Sequence, residues 1–300
     1  MEVVLAGASG LIGSALAAAL RTDGHRVKTL LRRPVSGPDV DRWDPVRGRL
    51  DPDFLQDADA VVCLSGAGVG DRRWTDGYKQ VIVSSRVDSV GTVARSLADC
   101  AANYGGGPRV LLAASAVGYY GDTGDREVDE DAPAGDSFLA EVCVEWEAAA
   151  DPARAAGVRV AHLRSGSVLA RGGGLLKRLL PLVKAGVAGR FGSGRQYFPW
   201  ISLTDEVAAI RFLLTHEVAG PVNLVGPGLV TNSEFTTTIG RVLRRPTVLP
   251  VPRFAARIAL GEIGDEVMTG QRAVPARLLS AGFAFTHPDL ETALRAELSR

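Results

Sequence analysis

The chain has 300 residues, 46% hydrophobic and 23% charged, and its 34 basic and 34 acidic residues leave no formal net charge. That length allows one large domain, or a domain with an appended lobe, and buries enough surface to fold without disulfides. The charge balance excludes a global field for nucleic acid or an anionic membrane, and no run approaches the roughly 18 apolar residues of a membrane span.

Cys63, Cys100 and Cys143 are widely spaced and form no CxxC, which argues against a disulfide framework and for a reducing, cytoplasmic setting. The apolar N-terminal stretch is broken by glycines and has no basic leader, unlike a signal peptide. Lysines occur only at 28, 79, 177 and 184, so few positions are open to a catalytic lysine.

In chain order, Val3–Ala6 is a short apolar run ending at Gly7 and predicts a buried strand. Leu11–Leu20 is rich in Ala and Leu and predicts a helix. Strands are expected at Val27–Leu31 and at Ala60–Leu64, the latter closed by Ser65-Gly66-Ala67-Gly68. A helix over Asp76–Asn103 should stop at the glycines 105–107. Val110–Ala114 predicts a fourth strand, Leu139–Ala150 a helix and Val158–Leu163 another strand.

After Leu163 the pattern loosens, and glycines at 172–174 and 186–194 with Pro246, Pro250 and Pro252 mark loops. Thr204–Leu214 and Val222–Val225 read as a helix and strand returning to the sheet. The expected fold class is α/β, a doubly wound parallel sheet of Rossmann type with a small C-terminal substrate lobe. The Rossmann domain is placed at 1–165 with the returning segment near 201–225, and the interleaved lobe at 166–300.

The opening segment Gly7-Ala8-Ser9-Gly10-Leu11-Ile12-Gly13 spaces its glycines as GxxGxxG between a strand and a helix. The first glycine permits the tight turn, the second admits a pyrophosphate to the backbone, and the third lets helix and strand pack closely. The helix N-terminus then turns free N–H groups toward the phosphates. An NAD site places a carboxylate at the end of the second strand; here that end reads Leu30-Leu31-Arg32-Arg33. A carboxylate would repel a 2′-phosphate and an arginine fork would bind it, so NADP(H) is the expected cofactor. Candidate cofactor contacts are Gly7, Ser9, Gly10, Leu11, Ile12, Gly13, Arg32, Arg33, Leu64, Ser65, Gly66, Ala67, Arg86, Ser115 and Arg164.

The glycine pattern, the run Ala114-Ser115-Ala116-Val117-Gly118-Tyr119-Tyr120-Gly121 and the run Leu163-Arg164-Ser165-Gly166-Ser167-Val168-Leu169 resemble an extended or atypical short-chain dehydrogenase/reductase. More narrowly, the chain resembles the epimerase family of SDR39U1-like proteins. Arg73-Trp74, Lys79, Ser85-Arg86, Phe138-Leu139-Ala140-Glu141, Phe198-Pro199-Trp200-Ile201, Gly261-Glu262 and Leu278-Leu279-Ser280-Ala281-Gly282-Phe283 carry the same resemblance, which spans essentially the whole chain. It implies an NADP-binding Rossmann core and a small C-terminal substrate lobe.

The wider superfamily moves protons with a Tyr-x-x-x-Lys pair on one helix face. No such pair exists here: Tyr78, Tyr104, Tyr119, Tyr120 and Tyr197 are followed four residues later by Ile82, Pro108, Thr123, Gly124 and Ile201. On the helix that should carry it, the two positions become Phe138 and Val142 in one frame. Three alternatives stay open. Tyr120 or Tyr119 acts with Ser115, with Lys79 or Arg86 supplying positive charge. Glu141 or Glu145 acts as base. Or the protein binds NADP(H) without turnover, as a regulatory or interaction module.

His162 falls in a buried strand pattern and reads as a core residue, and Trp74 and Trp200 as core or cleft wall. The four histidines show no HxxH or HExxH spacing, so no metal is expected. There is also no GxSxG elbow. The expected partner is a small-molecule substrate, with a homodimer compatible and neither nucleic acid nor membrane called for.

Overall fold

Val3, Val4, Leu5 and Ala6 are all fully buried, as are Ala60, Val61, Val62 and Cys63. Runs apolar on both faces suit only the centre of a parallel sheet covered by helices on either side. The computed structural model describes residues 1–35 and 37–299, the side chains of residues 259 and 260 excepted. Its first half comprises β1 (Glu2–Ala6), α1 (Leu11–Thr22), β2 (Arg26–Leu31), β3 (Val40–Arg42), β4 (Ala60–Cys63), α2 (Asp76–Tyr104), β5 (Val110–Ala116), β6 (Glu127–Val128), α3 (Phe138–Ala148), α4 (Asp151–Ala155) and β7 (Arg159–Ser165). The second comprises β8 (Ser167–Leu169), α5 (Gly174–Lys184), β9 (Trp200–Ser202), α6 (Leu203–Thr215), β10 (Gly220–Leu224), α7 (Asn232–Leu243), α8 (Arg253–Leu260), α9 (Ile263–Glu266), β11 (Arg272–Ala273), α10 (Ala276–Ser280) and α11 (Leu290–Ser299).

Seven strands form the main sheet in the order β10-β7-β5-β4-β1-β2-β3, all parallel. This is the Rossmann-type architecture. The strand order runs outward in both directions from β1 and β4, so the crevice beyond their carboxyl ends is the topological switch point where ligands bind in such sheets.

Leu16 and Leu20 of α1 with Ile210 and Leu213 of α6 bury one face of the sheet. Val90, Val93 and Leu97 of α2 with Trp146 of α3 bury the other. A further core joins Leu176 and Leu180 of α5, Phe235 and Ile239 of α7 and Leu294 of α11 into the smaller lobe.

Several elements differ from the sequence expectation. β3 reads Val-Asp-Arg and is too short and polar to show a period, yet it pairs with β2 in register from Thr29↔Val40 to Leu31↔Arg42. β5 and β7 each continue two residues past their apolar runs, to Ala116 and Ser165. The helical stretch from residue 139 is broken near Ala150, where α3 ends and the short α4 begins. The loop-like region after residue 165 contains α5, which tolerates Pro181 in its last turn.

Glu206 of α6 is fully buried, and its Oε1 accepts a 2.6 Å hydrogen bond from Ser165 Oγ while Oε2 has no partner. Burial pushes its carboxyl up to about 8. The folded protein therefore keeps a proton that the unfolded chain releases near its ordinary value, and stability falls as pH rises from about 4.5 toward 8. Glu206→Gln keeps the acceptor and removes the ionisation. We expect it to stabilise the protein by on the order of 2 kcal/mol at pH 7.5 and to flatten this part of the profile. Urea midpoints between pH 5 and 9 check this, and a wild-type curve already flat across that window would refute it.

Candidate dinucleotide and substrate site

The glycine loop joins β1 to α1 at the switch point. Gly7 has φ +90°, and a Cβ there would lie 2.9 Å from the Leu64 carbonyl carbon of the loop after β4. At Gly13 a Cβ would lie 2.2 Å from the Gly7 carbonyl oxygen, so this position sets how closely α1 sits on β1. Gly10 is different: its φ of −76° is ordinary, and the nearest atom to an added Cβ is 3.3 Å away. The protein's own packing barely requires a glycine there, whereas a phosphate approaching the backbone does.

Gly10 caps α1 without a side-chain hydrogen bond. The first-turn amides at Leu11, Ile12 and Gly13 therefore face the crevice beside exposed Ser9. Gly173, the N-cap of α5, closes over Leu11 so tightly that a Cβ would meet its Cδ1 at 2.7 Å.

Arg32 and Arg33 follow β2 and are both exposed. Among the described residues neither carries an ion pair. On the other side of the glycine loop, the run Leu64-Ser65-Gly66-Ala67 leaves β4 and is pinned by the Ala67 amide donating 3.0 Å to Ser85 Oγ. Arg86, one residue on, crosses this loop: a Cβ at Gly66 would lie 3.3 Å from Arg86 Cγ. The glycine loop, the start of α1 and the backbone of the segment after β4 fit a dinucleotide lying across the carboxyl edge.

Ser115, Tyr120 and Arg164 are brought together, but beneath the crevice. Ser115 Oγ donates 2.7 Å to Glu147 Oε1, and Arg164 grips the same carboxylate from Nε (2.8 Å) and Nη2 (2.9 Å). Arg164 Nη1 donates to Tyr120 Oη at 3.0 Å and to the Glu130 carbonyl at 3.4 Å. Tyr120 Oη donates 2.7 Å to Asn223 Oδ1, whose Nδ2 donates 2.9 Å to the Val274 carbonyl. Burial opposes ionisation of Glu147, but the Arg164 guanidinium wins and holds it below the usual carboxylate range.

These placements depart from three sequence expectations. Tyr120 is 1% exposed, and burial, against the pull of Arg164, pushes its phenol up to about 12. It stays protonated and engaged on both sides, so it does not serve a substrate. Arg164 is 3% exposed with all three nitrogens committed, so it braces the sheet edge instead of touching a cofactor. Ser115 is likewise buried and turned toward α3. Tyr119 keeps a partly exposed ring over the Arg164 guanidinium, 3.4 Å from its centroid.

Lys79 sits apart from Ser115: it pairs with Glu262 of the lobe and lies 5.3 Å from the Phe138 ring centroid. Phe138 and Val142 pack with Trp74 and Ile82 and do not face β5. The α3 face turned to the end of β5 instead carries Leu139, 3.4 Å from where a Gly118 Cβ would stand, and Cys143, whose Sγ lies 3.6 Å from the Ala116 carbonyl oxygen. Burial pushes the Cys143 thiol up to about 11, so it stays protonated. Glu141 and Glu145 point to solvent.

The same face carries Glu147, which sequence reasoning missed. It follows Cys143 by four residues, so the spacing was a usable signal once Cys143 is seen to face inward. His162 accepts from Arg154 Nη2 at 3.0 Å through Nε2, while its Nδ1 has no partner and burial pushes the ring down to about 4. That half-paired ring is less satisfied than a core histidine was expected to be.

Residues 3–226 match the NAD dependent epimerase/dehydratase family, and residues 251–297 match a domain of unknown function, DUF1731. The chain belongs to the NAD dependent epimerase/dehydratase family. Within it, the chain falls with the SDR39U1-like group of extended short-chain dehydrogenase/reductases. Epimerase family protein Mb2239 of Mycobacterium bovis is 48% identical over 294 residues, covering 97% of this chain and 96% of that protein. The crystal structure of human epimerase family protein SDR39U1 with NADPH shares 31% identity at a TM-score of 0.87, covering 100% of this chain and 99% of that one. The nucleoside-diphosphate sugar epimerase from Corynebacterium glutamicum shares 34% identity at a TM-score of 0.80, covering 99% of this chain and 58% of that one. Among the described residues, no helix is long and apolar enough to cross a membrane.

The different constraints on the glycines give a direct test. Gly10→Val should still fold, since the one tight contact of an added Cβ is 3.3 Å to the Gly7 carbonyl oxygen, and should lose dinucleotide binding by at least about a hundredfold as its side chain enters the ligand's space. Circular dichroism and NADPH fluorescence titration check both halves. Retained affinity in the folded variant would remove the assignment of this loop to the pyrophosphate.

Proposed function

We propose that this protein is an NADP(H)-dependent oxidoreductase or epimerase-like enzyme acting on a small carbonyl or sugar-like substrate. The observation that carries the reading is the glycine loop at the switch point, flanked at the end of β2 by two exposed arginines that pair with no carboxylate among the described residues. The NADPH in the human relative's structure supports the same cofactor. Gly7, Gly10 and Gly13 with the amides of Leu11 and Ile12 would hold the pyrophosphate, and Arg32 and Arg33 the 2′-phosphate. When bound, NADP(H) supplies hydride exchange at its nicotinamide ring.

Proton transfer then needs a group at the carboxyl end of β5. Tyr119 is the tyrosine there that keeps an accessible edge, and its ring lies against the Arg164 guanidinium. A second reading, a regulatory NADP(H)-binding protein without turnover, is favoured by one observation. Leu139 and Cys143 hold the spacing-of-four face that elsewhere in the superfamily carries the tyrosine and lysine.

Two measurements test these readings. Arg32→Ala should weaken NADPH by at least about tenfold while leaving NADH within about twofold, since a lost charge-assisted bond to phosphate costs about 1.4 kcal/mol or more. Equal losses for both cofactors would contradict the 2′-phosphate assignment. A panel of aldehydes, ketones and nucleotide sugars, followed at the NADPH absorbance, should reveal turnover that Tyr119→Phe lowers by about a hundredfold. Tight NADPH binding with no turnover across that panel would establish the regulatory reading.

A further inference from the structure

Arg86 is 9% exposed and carries a positive charge that no carboxylate in the described residues balances. Its Nη1 donates 2.9 Å to the Ile82 carbonyl, and its guanidinium lies 4.9 Å from the Trp146 ring centroid. None of its nitrogens is among the buried atoms without a partner, so Nε and Nη2 keep access to solvent. Those two form the edge of a guanidinium whose N–H bonds run parallel, the edge that receives a carboxylate side-on. The molecule shows the same edge filled elsewhere: Arg164 presents Nε and Nη2 to the two oxygens of Glu147. A buried guanidinium in an aromatic setting costs several kcal/mol unless an anion accompanies it.

Its place along the sheet says which anion. Arg86 crosses Gly66 in the loop after β4, and its guanidinium lies by Trp146 of α3, the helix whose Cys143 packs on Ala116 at the end of β5. With strands about 4.8 Å apart, that puts Arg86 one to two spacings, roughly 5–10 Å, beyond the glycine loop toward the reacting end. The diphosphate already has the α1 N-terminus, and the 2′-phosphate side lies in the opposite direction at β2.

We infer that the Nε–Nη2 edge of Arg86 is the substrate anchor and binds a carboxylate on the substrate, which makes the substrate a small carboxylate-bearing carbonyl or hydroxy compound. This rests on the cofactor reading above. The carboxylate neutralises the buried cation as it binds, so recognition and relief of an unpaired charge are one event. The two parallel donors also fix the orientation of the carboxylate, and with it the reacting carbon relative to the end of β5.

The test uses oxalate, malonate and inorganic phosphate as probes on the full-length protein, with and without NADPH, at ionic strength matched with sodium chloride. Thermal shift and NADPH fluorescence report binding. We expect oxalate or malonate to raise the melting temperature of the wild type, Arg86→Gln to lose at least about tenfold in probe affinity, and Arg86→Lys to recover part of it as a point charge. NADPH affinity should stay within about threefold in both variants. The inference is overturned if the wild type ignores the carboxylates, if phosphate binds through Arg86 more tightly than they do, or if Arg86→Gln loses NADPH affinity instead. Failure of the wild type to bind NADPH at all would refute the cofactor reading separately, because the carboxylate response is also read without it.

Discussion

The buried Arg164–Glu147 pair is the constraint on which the carboxyl edge of the sheet depends. It joins β7 to α3, and through Ser115, Tyr120 and Asn223 it reaches β5 and β10. Glu130 extends it further, accepting from the backbone amides of Asn223 and Arg277. Burying two charges is costly, and such a pair adds little net stability unless every remaining donor and acceptor is met. Here nearly all are met, and the return is position: three strand ends and the C-terminal segment are fixed relative to one another. Breaking one partner would leave a buried charge and a row of orphaned donors, so the edge stands or fails as a unit.

With that edge fixed, its charges fall in an ordered row. Arg32 and Arg33 stand beyond β2, the uncapped start of α1 beyond β1, and Arg86 against the loop after β4. These positive groups gather along one edge of the sheet, although the whole chain is neutral. The field that matters is therefore local, made by helix geometry and by arginines without carboxylate partners. Arg164 belongs to the same region but contributes nothing to this field, because Glu147 cancels it at hydrogen-bond distance.

Much of this was legible in the sequence. Alternation of apolar runs with Ala- and Leu-rich stretches gave the parallel sheet, and GxxGxxG in its strand-to-helix context gave the loop. The lobe was less legible: α8 and α11 are short, and β3 is three residues with one apolar side chain, so tertiary pairing decides them more than local pattern does. At the site, Ser115, Tyr120 and Arg164 do come together, but buried and committed to Glu147, Asn223 and one another. Strand alternation contains that information: Leu111 and Ala113 lie in the α2-side core, so Ser115, two residues on, points the same way.

The end of β5 carries Ala114 and Ala116, and α3 brings Leu139 and Cys143 up to it. A reacting group bound there meets methyl groups and a thiol that burial keeps protonated. Such a wall excludes water and positions a flat ring well, but it cannot relay a proton as a tyrosine with a neighbouring lysine does. Selection for binding and selection for proton transfer are thus separable in this fold. The first uses backbone geometry and fixed cations set by the sheet edge. The second depends on two side chains of one helix turn, and exchanging those two leaves the sheet and the glycine loop untouched. Any turnover must draw its proton from outside that turn, from Tyr119, from the substrate itself or from water entering with it.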